Sequence, residues 1–141
     1  MKQEDRDDFA TVRSHAASKI AYDLSKATAQ ACLLINGGAA TAVIAFLAKE
    51  HIEPAVARSV PWSLAGYAVG VLSSAVMLFC ELMNADYWNY SWYHITYEHD
   101  RAKATDWENK ANRWHVGFYC AFAVAIASFF FASGWMVHPL M

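Results

Sequence analysis

Three uncharged stretches of equal length, residues 27–48, 59–80 and 116–137, stand between flanks that carry charge or histidine. An α-helix needs roughly 20 apolar residues to cross a hydrocarbon core about 30 Å thick, and lipid offers the backbone no other hydrogen-bond partner. The pattern predicts three transmembrane helices. The fold class is all-α: a three-helix transmembrane domain over 27–141, preceded by a cytoplasmic amphipathic helix at 1–26. With 141 residues there is room for one domain. A net charge of −2 gives no electrostatic reason for nucleic acid to bind. The bilayer is the partner the sequence itself names.

The distribution of positive charge sets the orientation. Lys2, Arg6, Arg13, Lys19 and Lys26 precede the first span, and Arg101, Lys103, Lys110 and Arg113 lie in the second connection. Only Lys49 and Arg58 fall in the first connection, and no Lys or Arg follows the third span. The positive-inside rule places the N-terminus and the 81–115 connection in the cytoplasm and the C-terminus on the outer side. Residues 1–26 lack the early apolar core and cleavage site of a signal peptide, so the first span is expected to act as its own insertion signal. Cys32, Cys80 and Cys120 fall in the cytoplasmic halves of their spans. There they are read as small packing residues, not as a disulfide framework.

Glycine and proline are sparse enough for long helices. Phe9, Val12, Ala16, Ile20 and Leu24 recur at helical spacing behind an acidic start, which predicts one helix, straight or bent, over 6–48. Pro61 is expected in the first turn of the second span, where its missing N–H costs little. Thr105 and Glu108 match a capping box, which predicts a third helix starting at Thr105. The second helix would then overshoot its partner by roughly 15 Å. The chain is therefore expected to bend near Asn89, Tyr90 and Ser91, or to turn nearer His99.

That connection is dense in aromatics: Tyr87, Trp88, Tyr90, Trp92, Tyr93 and Tyr97. Their amphipathic rings suit the head-group zone, so an interfacial belt is the expectation. The sharper alternative is an aromatic surface that recognises a lipid, quinone or peptide. The nearest charges are Asp86, Glu98 and Asp100, which leaves no basic groove for single-stranded nucleic acid.

Membrane helices associate along small residues, because lipid tails are as apolar as leucine. The second span carries Gly66, Gly70 and Ser74 at four-residue spacing, and the third carries Gly117, Ala121 and Ala125. The first carries Gly37, Thr41 and Ala45, with Gly38 and Ala42 beside them. Either all three faces pack inside one chain, or one is reserved for another subunit. The expected partner is a second copy or another membrane protein.

Few polar groups invite chemistry. Asn36, mid-span, is expected to hydrogen-bond across a helix contact, or else to line a polar path. Glu81, at the inner end of the second span, is expected to pair with Arg113 or His115 at the entrance to the third. No histidine lies within a span to ligate haem, and His94, Glu98 and His99 do not follow a zinc-protease order. No cofactor, metal or catalytic residue is assigned.

The run Leu33-Leu34-Ile35-Asn36-Gly37-Gly38-Ala39-Ala40 resembles the first span of a loose group of small, uncharacterised proteobacterial membrane proteins that share an L-L-x-x-N-G-G-A-A signature. The resemblance covers about fifteen residues strongly, with a weaker likeness at 110–117. It implies a bacterial inner-membrane location and weight on the Asn-Gly-Gly element, but brings no activity. The reading is a non-enzymatic accessory or scaffold protein acting through helix and partner contacts. The alternative is a self-assembling channel or membrane-disrupting effector, as in bacterial defence, which needs a polar stripe. Thr28, Gln30, Asn36 and Thr41 supply only a broken one.

Overall fold

The computed structural model describes residues 3–48 and 53–137, with side chains described from residue 19 onward except at positions 55 and 98. Expectations resting on His51, His138 or Pro139, or on the side chains of Phe9, Val12 and Ala16, lie outside the described residues. Three long helices account for nearly all the rest: α1 (Gln3–Leu47), α2 (Pro54–Tyr93) and α3 (Arg101–Val137). There is no strand among the described residues. Each helix is long and apolar enough to cross a membrane.

The first helix runs unbroken through the junction at residue 26. The second starts at Pro54, with Glu53 as N-cap, so the first-turn proline is Pro54. Pro61 is interior, two turns in, where it removes the bond to the Ala57 carbonyl.

The expected bend at residues 89–91 does not occur: α2 continues to Tyr93 and closes in a single π turn, His94–Glu98. His99 then takes the left-handed conformation (φ 52°), the usual way to leave a helix. Asp100 caps α3 by accepting the Lys103 N–H at 3.0 Å. Thr105 is not an N-cap; its hydroxyl donates to the Arg101 carbonyl one turn back. Glu108 accepts from Ser91 on α2 at 3.2 Å instead. Ending α2 at Tyr93, eight residues short of Arg101, and starting α3 four residues before Thr105 together shift the arms by about 18 Å, so no bend is required.

The two long arms pack along their whole length, and a seven-residue repeat explains how. On α3, Ala104, Ala111, Phe118, Ala125 and Ala132 are all buried. On α2, Val56, Ser63, Gly70, Met77, Asn84 and Ser91 are buried at the same interval. A sustained heptad keeps one face towards the partner as the helices wind left-handedly. Ser63 donates to the Ala132 carbonyl at 3.0 Å, which sets the antiparallel register. In steps of seven, Gly70 then falls opposite Ala125, Met77 opposite Phe118 and Asn84 opposite Ala111. On α1 the repeat is Ala29, Asn36 and Val43, and this helix packs mainly on α2.

Exposed aromatics mark where lipid ends. Trp62 and Trp135 are exposed at the outer ends of α2 and α3. At the inner end Phe79 meets Trp114 edge-on at 5.6 Å, with Tyr119 exposed nearby. Trp114 and Trp135 are 21 residues apart, about 30 Å along the helix, which matches the hydrocarbon core. By the same arithmetic Tyr90, Tyr93 and Tyr97 stand about 15–25 Å past Cys80, beyond a head-group zone only about 5–8 Å deep. The hairpin thus projects well past the inner interface.

Candidate functional site: a polar cavity at the inner end of the spans

The intramembrane part of the bundle leaves almost no room. A Cβ on Gly66 would meet Ala132 Cβ at 2.8 Å, and one on Gly117 would meet Cys80 Sγ at 3.2 Å. At Gly70 the added atom would collide with the Asn36 side-chain amide. Asn36 lies over that glycine and donates to the Cys32 carbonyl at 3.0 Å and the Ala125 carbonyl of α3 at 3.4 Å. One amide thereby joins all three helices, and only Gly70 leaves space for it. Its Oδ1 has no partner.

The small-residue face foreseen on α1 is not the packed one. Gly38, Thr41, Ala42 and Ala45 are exposed, and a Cβ added at Gly37 would only touch Val71 at 4.0 Å. The buried face is Ala29, Cys32, Asn36 and Val43. Cys32 and Cys80 are buried free thiols, while Cys120 is exposed.

Towards its N-terminus α1 parts from the hairpin. No described α1 side chain before Ala29 is buried, and Ile20 and Leu24 are exposed. The wedge this opens is a cavity of ≈ 450 Å³ lined by all three helices. Tyr22 and Ser25 come from α1, Glu81, Asn84, Trp88 and Trp92 from α2, and Asn112 and His115 from α3. Glu81 and Asn84 occupy inward heptad-related positions of α2, so packing directs them towards the bundle despite their polarity. Glu81 is only 5% exposed and Asn84 9%.

A side-chain hydrogen bond links Glu81 with Asn84, and His115 faces Glu81 electrostatically. Three buried polar atoms remain without a partner: Glu81 Oε2, Asn84 Oδ1 and His115 Nδ1. Such atoms are costly, and native proteins rarely keep several together. Arg113, expected as a partner for Glu81, is exposed and outside the cavity lining. The sequence pointed to Glu81 and His115. It did not point to Asn84, Asn112 or Tyr22, although the heptad spacing of Met77, Asn84 and Ser91 was a usable signal.

The aromatics of the connection divide between two faces. Trp88 and Trp92 line the cavity. Tyr87, Tyr90 and His94 surround Trp107 of α3, with ring centroids at 5.6, 5.2 and 6.3 Å. Lys110 Nζ caps the same indole at 3.9 Å from its centre. Tyr93 and Tyr97 stack on each other and stay exposed.

Among the described residues, no group of three or more His, Cys, Asp or Glu side chains is placed to hold a metal ion. The cavity offers acceptors beside aromatic walls, an arrangement suited to holding a ligand. No family model matches this chain, and no curated protein or solved structure is significantly similar to it.

Proposed function

We propose that this protein is a non-enzymatic accessory or scaffold of a bacterial inner membrane, with its N-terminus and the α2–α3 hairpin in the cytoplasm. The observation that carries this reading is the use of the intramembrane polar groups. Asn36, Thr41, Ser59, Ser63, Ser74 and Ser128 all donate to carbonyls of this same chain. Tyr67 and Ser133 bond each other at 3.0 Å. Asn36 and Ser63 reach carbonyls of α3, while Thr41, Ser59, Ser74 and Ser128 bond back within their own helices, so these groups are engaged inside the chain instead of offered as the polar stripe that a pore requires. Meanwhile the Gly38–Thr41–Ala42–Ala45 face of α1 is open, the kind of surface on which a further membrane helix packs closely. Location and orientation rest on the sequence resemblance and on the positive charges flanking the spans.

Native mass spectrometry of the protein extracted from its own membrane tests this. A complex of the 15.7 kDa chain with a second polypeptide or with further copies of itself is expected. A bare monomer would overturn the scaffold reading. In liposomes the protein should not leak ions; leakage abolished by Asn36→Leu would establish the channel reading instead.

A further inference from the structure

We propose that the cavity between α1, α2 and α3 is a binding site for a primary ammonium group. This proposal does not depend on the scaffold reading. Glu81 Oε2, Asn84 Oδ1 and His115 Nδ1 are buried, unpartnered and carried by residues that line one space. A carboxylate oxygen and an amide oxygen are acceptors, and an imidazole nitrogen that carries no hydrogen is a third. Three acceptors match the three N–H donors of an –NH3+ group.

Charge points the same way. Glu81 brings a carboxylate into the cavity, and no Lys or Arg is among the described residues that line it. His115 faces the Glu81 carboxylate but leaves its Oε2 without a hydrogen-bond partner, a place that an ammonium from outside the chain would fill. The walls fit that cation as well: Tyr22, Trp88 and Trp92 present aromatic surface, which attracts ammonium through the ring quadrupole. A volume of ≈ 450 Å³ is that of a small-molecule site. Glu81 and His115 sit one residue outside the uncharged spans, at head-group depth. The ammonium can thus come from a lipid head group or from a free amine in the cytoplasm.

The experiment uses the full-length chain in mixed micelles holding equal amounts of three lipids with identical tails and ethanolamine, choline or glycerol head groups. Choline keeps the positive charge and removes every N–H donor. Native mass spectrometry should show the ethanolamine lipid retained about tenfold over choline, and Glu81→Gln should abolish that preference. In parallel, tryptophan emission is followed during titration with ethylammonium chloride, with tetramethylammonium chloride as the control. Lipid selectivity without an ethylammonium response assigns the site to a head group. A saturable ethylammonium response that Glu81→Gln removes, without lipid selectivity, assigns it to a free amine. Should Glu81→Gln lose helical circular dichroism, the wild-type contrasts decide alone. Equal retention of all three lipids together with equal responses to both amines overturns the proposal.

Discussion

The outer and inner halves of the α2–α3 hairpin share one heptad and one register, yet they are held together by different means. From Val56 to Met77 the seam residues are apolar or small, and Ser63 reaches the facing carbonyl directly. From Glu81 to Ser91 the seam residues are polar, α1 has moved away, and three buried atoms lack partners, against one, Asn36 Oδ1, within the spans. Beyond them the arms are held by rings around Trp107 and by the Ser91–Glu108 bond. The contrast follows from the solvent on either side. In hydrocarbon an unsatisfied group has no water to turn to, so close backbone approach and short internal bonds are the stable solution. At the interface, water or a polar ligand can reach such groups, and a cavity becomes tolerable.

The contrast is broken most severely at Gly70. Valine there would displace Asn36 and separate α1 from the hairpin, at a cost of about 3 kcal/mol. Unfolding measured in micelles should show much of that loss disappearing in the Asn36→Ala background. If the two changes are instead additive, the amide and the glycine are not coupled. A smaller effect is expected at Trp107. Alanine should loosen the projecting hairpin by about 2 kcal/mol, because a half-buried indole leaves its ring partners and Lys110. Hydrogen exchange should rise around 94–104 and stay unchanged in the spans.

The sharpest comparison sets two substitutions side by side. Ser63→Ala removes a satisfied intramembrane bond and should lower stability by about 1 kcal/mol. Glu81→Gln removes a buried carboxylate whose Oε2 has no partner and should be neutral or stabilising by about 1 kcal/mol in the absence of amines. Thermal unfolding of both variants in one detergent reads the difference, and destabilisation by both would erase the distinction between the halves.

The smallest effect concerns Asp100 at the hairpin tip. The Lys103 N–H, helped by the Lys103 ammonium at 3.4 Å, holds this carboxyl below the usual carboxylate range. A depressed value means the cap's contribution is complete above the unfolded-state pKa and is lost as pH falls through the folded value. Exchange of the first α3 amides should therefore quicken below about pH 4 while the spans are unaffected.

Much of the architecture was legible in the residues. Uncharged length identified three spans, and the scarcity of Gly and Pro permitted unbroken helices. The start of α3 was misplaced because Thr105 and Glu108 mimic a capping box in the middle of a helix. Asp100, with Lys103 three residues on, had an equal claim as the cap, and only the left-handed turn at His99 decides between them. The small-residue faces of α2 and α3 were read by their four-residue spacing, whereas packing follows a seven-residue repeat that shares only Gly70 and Ala125 with them. The expected aromatic belt divided into a cavity wall and the rings around Trp107, because successive helical positions point in different directions.

What the sequence alone determined is therefore what depends on length and local backbone preference: the number of spans and the helices that form them. Which faces meet was decided by tertiary structure. Three α1 residues buried at heptad spacing, Ala29, Asn36 and Val43, prevail over an equally plausible Gly37–Thr41–Ala45 face. The cavity was decided at the same level. Glu81, Asn84 and His115 belong to two helices and are brought together only when the register of α2 against α3 is set, while the space they line exists because α1 leaves the hairpin before Ala29. Neither distance is encoded in any local segment, since each is the sum of packing along tens of residues.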